Sequence, residues 1–363
     1  MEPTSVSSKR CSMVDWEKSQ ERFRAFWERQ LVDRPVVQVY APKRPGVPKG
    51  WWRILDESVW ADPDRTVEEM RAFFDGIHFA GDAYPMWYPN LGPGVLTAFL
   101  GNRIHFDPEH DTSWQDHTVT DLSSWRPQFD HQNAYWQATL HLTERIAAAA
   151  PGRFIAGITD LGMGADLLAA VRGADGLCMD MMDCPDVVQA RLSELRQLWQ
   201  QCYQTLYDRL PAGNGSNCWL AAWAPGRTYP LQNDFSCMIS PEMYREFFLE
   251  DLVAHCDWLD YAVYHLDGPG AVPHLDMLLE IPSLRAIQWT PGAGQPPMPY
   301  WLPMLRRIQA AGKGLFLYTG PQELDALMDG LRPEGVILNL WAGSPAEADA
   351  LVDKVAAWGV KSC

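Results

Sequence analysis

The chain has 363 residues, of which 47% are hydrophobic and 21% are charged, a mixture typical of a folded protein and not of a disordered one. Asp and Glu outnumber Lys and Arg by 46 to 30, which gives a formal net charge of −16. This charge excludes nucleic acid and anionic membrane surfaces as partners. No run of about 18 apolar residues predicts a membrane span. We therefore expect a cytoplasmic protein that binds a small molecule.

The first third of the chain contains predicted elements of mixed type. Residues 1–13 are polar and Ser-rich, which predicts a disordered tail, and the folded domain is then expected to span 14–363. Helical periodicity covers 15–28, and a β-rich run covers 35–41. Pro63–Asp75 is a predicted helix with Asp62 as its N-cap.

An aromatic loop at 81–94 precedes a short helix that is predicted to end near Gly101. The polar segment 102–133 is predicted to be an irregular insertion, either a lid or a dimer contact.

From residue 134 onward, predicted helices and strands alternate regularly. The strands are 153–160, 217–223, 262–265, 284–288, 314–318 and 335–340. The helices are 141–150, 166–171, 185–208, 241–259, 301–311, 322–331 and 345–358. Such alternation predicts a single α/β domain folded as a (β/α)8 TIM-type barrel, with an open doubly wound sheet as the alternative. No strand is followed by a nucleotide-binding glycine motif, which argues against that alternative.

The polar residues that follow the strands are the candidates for chemistry, because they point into the mouth of such a barrel. The sharpest group is the sequence YHLDG, where His265 and Asp267 lie two residues apart after an apolar run. In extended backbone they share a face. They predict a general acid/base pair, two ligands of a divalent metal such as zinc, or a structural hydrogen bond.

Two further carboxylates are predicted to be catalytic. Asp160 ends a predicted strand just before a Gly-x-Gly turn, and the alternative is that it caps the following helix. Asp234 lies in a loop before the helix that Ser240 caps, and the alternative is an Asx turn.

Aromatic and amide residues near the other strand ends are predicted to bind the substrate. They are Tyr40, Trp87, Tyr88, Asn90, Trp219, Trp223, Gln288, Trp289, Tyr318 and Trp341. Flat rings beside carboxylates and amides suit a neutral ring that bears hydroxyls, or a methylated cation. The residue types therefore predict acid/base cleavage, of the lyase or hydrolase kind, on a small carbohydrate-like substrate, with no cofactor required.

Four segments of the C-terminal two thirds carry a resemblance to a known family. They are residues 161–188, 233–252, 264–270 and 336–355. Their order and sequence resemble the uroporphyrinogen decarboxylase superfamily, which includes cobalamin- and zinc-dependent methyltransferases. The resemblance implies an enzyme built on the barrel of that superfamily, and a homodimer as the expected assembly.

The positions at which this sequence differs from the family distinguish between the possible functions. After the first strand, the sequence VVQVYAPKRP replaces the Arg-rich loop that holds substrate carboxylates in the decarboxylases, so true uroporphyrinogen decarboxylation is disfavoured. The zinc methyltransferases use His-x-Cys and a later Cys; here His265 keeps the first place, Asp267 replaces the Cys, and Trp341 lies near the second. The resemblance implies a methyltransferase that passes a methyl group to a corrinoid protein, with a His/Asp metal site. A non-catalytic ligand-binding barrel is the remaining alternative.

Overall fold

The computed structural model describes residues 15–47, 62–107, 109–110 and 112–360, so the tail predicted at 1–13 lies outside the described residues. The described chain is a mixed α/β protein built around a seven-stranded sheet. In chain order the strands are β1 (Val36–Pro42), β2 (Ile77–Gly81), β3 (Met86–Trp87), β4 (Ile104–Asp107), β5 (Thr112–Gln115), β6 (Ile155–Ala156), β7 (Thr228–Leu231), β8 (Tyr261–Asp267), β9 (Leu284–Thr290), β10 (Gly314–Tyr318) and β11 (Val336–Trp341).

The helices begin where the sequence supplies caps. Asp62 and Ser240 accept hydrogen bonds from the backbone of the first turn, and proline follows each of them at the first helical position. The helices are α1 (Trp16–Trp27), α2 (Pro63–Asp75), α3 (Leu96–Phe99), α4 (Ala134–Ala149), α5 (Gly164–Arg172), α6 (Ala174–Asp183), α7 (Pro185–Tyr207), α8 (Pro241–Phe247), α9 (Leu249–Trp258), α10 (Gly268–Ala271), α11 (Leu275–Leu279), α12 (Leu302–Ala310), α13 (Leu324–Gly330) and α14 (Pro345–Val360). No helix in these ranges is long and apolar enough to cross a membrane.

The large sheet has the strand order β2-β1-β11-β10-β9-β8-β7. Its strands are parallel except for β2, which runs antiparallel to β1 and covers its edge. β3 and β6 form a separate parallel pair, and β4 and β5 form an antiparallel hairpin. Over the described residues, the hydrogen-bonded ladders form one seven-stranded sheet and two separate pairs, and do not trace the closed ring of a (β/α)8 barrel.

Side chains from both parallel sheets nevertheless converge on one interior cluster. Its strand members are Val36, Met86, Ile155, Val263, Ala286, Phe316 and Ile337. The opposite faces of the strands pack against the helices in the main core, where Trp199 of α7 stacks on Tyr203. Alternate residues of each strand thus face two different environments. The carboxyl ends of β8, β9, β10 and β11 meet at one edge, where the polar residues of the YHLDG segment lie.

The prediction of a strand at 217–223 is wrong, because this segment forms no strand. This segment has a single antiparallel bridge between Ser216 and Ala224 and folds back on itself, with the amide of Ala222 bonded to the carbonyl of Leu220. The strand comes later, as β7, which contains Pro230. Proline lacks an N–H for the ladder, which disfavours a strand at this position. It is accommodated because β7 lies at the end of the sheet order.

Other boundaries differ from prediction for local reasons. Of the strand predicted at 153–160, only β6 is regular, although the amides of Gly157 and Ile158 bond to carbonyls of neighbouring segments. Asn133 caps α4, which starts seven residues before the predicted 141. The helix predicted at 241–259 is interrupted at Phe248, and the segment 102–133 contains the β4–β5 hairpin.

Candidate functional site

Three side chains that sequence reasoning had singled out meet at one point. Ligand atoms of Asp234, His265 and Asp267 all lie within 4.8 Å of one another. His265 and Asp267 are on the inward face of β8, and Asp234 begins the single-turn helix that follows β7. Among the described residues they form a group of one nitrogen and two carboxylate oxygens that is able to hold a cation. His265 and Asp267 come together because, as predicted, they lie on the same face of their strand.

Asp234 is held in place by a third carboxylate, that of Asp166. Asp166, in the first turn of α5, accepts hydrogen bonds from the backbone amides of Asp234 at 3.0 Å and of Phe235 at 2.9 Å. In the sequence, an Asp in the first turn of a helix indicates only a helix-surface or packing charge. The role of Asp166 as an anchor depends on two segments 68 residues apart meeting in space, which no local pattern indicates.

The orientation of His265 is set by the next strand. Gln288 is its register partner on β9, and the side-chain oxygen of Gln288 contacts Nδ1 of His265. The amide nitrogen of Gln288 donates to the hydroxyl of Thr290 at 2.6 Å. An amide oxygen accepts from an N–H, so Nδ1 carries a proton, and in the neutral imidazole Nε2 has the lone pair. Gln288 was predicted to touch substrate, but its two polar atoms are engaged by His265 and Thr290.

Trp219 covers one side of the imidazole. Its ring stands edge to face against His265, with the ring centroids 5.0 Å apart and the planes at 87°. This is one of the favourable arrangements for aromatic pairs. Trp219 therefore limits the movement of the imidazole and forms a wall of the site.

Asp160 is buried beside the site but is engaged by its own turn. Its carboxylate accepts hydrogen bonds from the hydroxyl of Tyr229 at 2.7 Å and from the amide of Gly162 at 2.9 Å. Gly162 has a φ of 67°, a conformation that favours glycine, and this turns its amide toward the carboxylate. Burial raises the pKa of Asp160, against these hydrogen bonds. The structure thus gives Asp160 a role in holding a turn, and Met163 occupies the helix-cap position that was the alternative.

The carboxyl groups of Asp166 and Asp234 lie close together, and the pKa of each is raised. Burial and the nearby charge of Asp234 raise the pKa of Asp166 to about 7, although two backbone amides stabilise its charged form. Desolvation also raises the pKa of Asp234; the ring of His265 opposes this and Asp267 adds to it. A positive ion placed between Asp234 and Asp267 would relieve this repulsion. The electrostatics therefore match a bound cation.

The predicted aromatic residues lie in several hydrophobic clusters. Tyr40 and Trp87 belong to one cluster, Tyr88 and Trp223 to the interior cluster, and Trp289 to the main core. Tyr40 and Trp341 pack together with ring centroids 5.6 Å apart, and Tyr318 is 40% exposed at the end of β10. Tyr88 belongs to the interior cluster, and Asn90 accepts a hydrogen bond from the amide of Gly92. Tyr40, Tyr318 and Trp341 have the same strand parity as Val36, Phe316 and Ile337 of the interior cluster, so their side chains point to the interior side of the sheet.

The other predicted aromatic residues pack away from the three-residue cluster. Trp87 contacts Phe154, Trp289 contacts Trp301, and the indole nitrogen of Trp223 donates to the carbonyl of Asn214. Odd-even alternation along β3 and β9 determines the side to which Trp87 and Trp289 point, and an uncertain register hides it at the level of sequence. Trp223 lies outside any strand.

A second polar pair joins β1 and β11. Gln38 of β1 faces Asn339 of β11, and the Asn339 amide donates to the Gln38 side-chain oxygen at 3.0 Å. The Gln38 amide in turn donates to the carbonyl of Ala221. The signal for these residues is a buried polar side chain in the middle of an otherwise apolar strand.

Comparison with known proteins identifies a fold relative and no family. No family model and no curated protein match the sequence. One solved structure of similar fold is a methyltransferase from Methanosarcina mazei, with a TM-score of 0.59 over 94% of this chain and 98% of that chain. The chain shares its fold with a methyltransferase. The two sequences are 11% identical, so the likeness concerns the fold alone.

Proposed function

We propose that this protein is a metal-dependent methyltransferase that moves a methyl group from a small donor to a corrinoid protein, with Asp234, His265 and Asp267 as the metal ligands. The observation that carries the proposal is the convergence of their ligand atoms within 4.8 Å. The fold likeness to a methyltransferase favours this activity over acid/base cleavage of a carbohydrate-like substrate. The convergence of strand side chains on one interior cluster supports the superfamily barrel as its scaffold.

The residues present suit a divalent ion of borderline hardness. One imidazole and two carboxylates form a nitrogen and oxygen donor set, which zinc, manganese and cobalt accept, whereas a site for a soft ion contains thiolates. Three protein ligands are also the number found in catalytic zinc sites, where a further position remains for substrate. A bound ion would supply Lewis acidity, which activates the atom that carries or receives the transferred group.

The surrounding residues keep the ligands ready for the ion. Gln288 fixes the protonated nitrogen of His265 and leaves Nε2 as the donor atom. Asp166 anchors the backbone of Asp234, so the carboxylate does not have to be ordered when the ion binds. Trp219 excludes water from one side of the imidazole.

Elemental analysis of the purified protein by plasma mass spectrometry tests the proposal. We expect about one divalent ion per chain, its loss in His265→Ala and Asp267→Asn, and its retention in Asp257→Asn, which changes an exposed carboxylate on α9. The loaded protein is then assayed for methyl transfer to cobalamin by the change in the cobalamin spectrum. A protein that stays free of metal after dialysis against zinc, manganese and cobalt would contradict the proposal.

A further inference from the structure

Asn217 has a buried side chain whose two polar atoms have no partner among the described residues. Neither Oδ1 nor Nδ2 makes a hydrogen bond there, and the residue is fully buried. Its backbone carbonyl, in contrast, accepts from the amide of Ile158 at 2.8 Å. The main chain of Asn217 is therefore held by this hydrogen bond. The side-chain amide makes no hydrogen bond that would hold the residue in place. Because an unpaired buried amide lowers stability, its presence calls for a ligand.

Trp219 adds a third unpaired polar atom two residues further along. Its indole Nε1 is also buried without a partner in the described chain, and its ring contacts His265. Cys218, between the two, has its sulfur directed at the carbonyl of Thr159, 3.8 Å away. Asn217 and Trp219 together thus offer two donors and one acceptor next to a candidate metal ligand.

Gly157 on the neighbouring segment makes room for the Asn217 amide. A Cβ atom added at residue 157 would lie 2.8 Å from Oδ1 of Asn217 and 3.2 Å from Cβ of Tyr88. The φ angle of Gly157 is not in the left-handed region, so its backbone does not require glycine. The absence of a side chain at Gly157 therefore leaves room for the side-chain amide of Asn217.

An unpaired indole nitrogen is not by itself a binding site, as Trp289 illustrates. Its Nε1 is buried and unpaired too, but its ring packs against Trp301 in the main core, between sheet and helices. Trp219 differs in two respects, because its ring contacts His265 and it lies two residues from a second unpaired buried side chain, that of Asn217. Trp289 is therefore a matched control for Trp219.

The charge of the surroundings limits what these atoms bind. The carboxylates of Asp160, Asp234 and Asp267 interact with His265 or with one another, and the inward positions of β8 to β11 contain no Lys or Arg. A negatively charged group would be repelled. We propose that Asn217 and Trp219 form a subsite beside His265 for a neutral substrate group that both donates and accepts hydrogen bonds, a carboxamide or a hydroxyl. That the bound group is part of the substrate rests on the proposed function, whereas the existence of the subsite does not.

Nuclear magnetic resonance of the full-length ¹⁵N-labelled protein, without added metal, tests this subsite. The indole signal of Trp219 is assigned by its loss in Trp219→Phe and is followed during titration with benzamide, benzyl alcohol and benzoate. We expect benzamide or benzyl alcohol to shift this signal and to bind at least tenfold more tightly than benzoate. In Asn217→Leu and Trp219→Phe, followed through the remaining signals, the affinity should fall at least tenfold, and in Trp289→Phe it should be unchanged.

The melting temperature distinguishes a binding role from a structural one. Leucine has the same number and branching of side-chain heavy atoms as asparagine without its polar atoms, so Asn217→Leu should melt at a higher temperature than the unchanged protein while it loses benzamide. A lower melting temperature with unchanged affinity would overturn the proposal, and so would the absence of binding by both neutral probes. Because these titrations contain no metal, failure of the metal site alone leaves their outcome intact.

Discussion

His265 and Gln288 are register partners on adjacent parallel strands, and the Gln288 side-chain oxygen receives the Nδ1 proton of His265. The contact fixes one tautomer of the imidazole and directs Nε2 away from β9. Gln288 is itself fully buried and held by Thr290. The direction of the nitrogen ligand therefore depends on the pairing of two strands as much as on the histidine itself.

Replacement of Gln288 by Leu should weaken metal binding without removing a ligand. Loss of the acceptor releases the imidazole tautomer and rotation, and such partners of metal-bound histidines are worth about 10–100-fold in affinity. Titration calorimetry with zinc measures the effect. Gln288→Glu keeps an acceptor at the same place and should restore most of the affinity. Equal affinity in Gln288→Leu and the unchanged protein would contradict the role given to this contact.

Asp166→Ala should also weaken metal binding, by about tenfold, a typical loss for a residue that orients a ligand. The substitution removes the acceptor of two backbone amides, so the segment that carries Asp234 loses its anchor. Zinc titration of this variant is compared with Asp175→Ala, which removes an exposed carboxylate from α6. The Asp175 variant should bind as the unchanged protein does. If both variants bind equally, Asp166 does not position Asp234.

A buried cluster of charged residues away from the candidate site should contribute strongly to the stability of the protein. The Asp82 carboxylate contacts Arg22, Arg34 and the hydroxyl of Ser19, and its own side chain is inaccessible to solvent. Asp82→Ala leaves the nearly buried Arg34 without its counter-charge, which costs about 3–5 kcal/mol in comparable cases. Urea unfolding measures the change. Glu69→Gln, which breaks an exposed pair on α2, should leave the unfolding midpoint where it is.

The stability of the protein should depend on pH through His255. Burial, and to a lesser degree the charge of Arg196, lower the pKa of His255 from its ordinary 6.5 to about 3. Between these values the unfolded chain takes up a proton that the folded chain does not, so this residue costs stability as the pH falls below 6.5. The slope is about 1.4 kcal/mol per pH unit.

The effect of His255 is isolated by a difference between two proteins. Burial raises the pKa of the neighbouring Asp251 to about 6, which acts in the opposite sense, since the folded state there retains a proton between about pH 4 and 6. Urea unfolding of the unchanged protein and of His255→Gln is therefore compared at pH 7 and pH 5. The free energy of unfolding of the unchanged protein should fall by about 2 kcal/mol relative to the variant. No relative change would show that His255 titrates normally in the fold.

The sequence by itself determined the elements with strong local signals. Helix α2 with its Asp62 cap and strand β10 have the predicted bounds, because capping residues and apolar runs act over a few positions. The pairing of His265 with Asp267 was predictable for the same reason, since residues two apart on a strand share a face.

Only the tertiary structure decided which distant residues joined them. Asp234 reaches the site because β7 pairs with β8, and Asp166 reaches it because α5 begins beside the turn that follows β7. Trp289 turns away from the site because of its parity on β9. The β2 edge strand and the fold of 217–223 likewise depend on long-range pairing. Local periodicity fixes the direction of a side chain within its own element, whereas contacts between elements depend on register and packing energies that are summed over the whole chain.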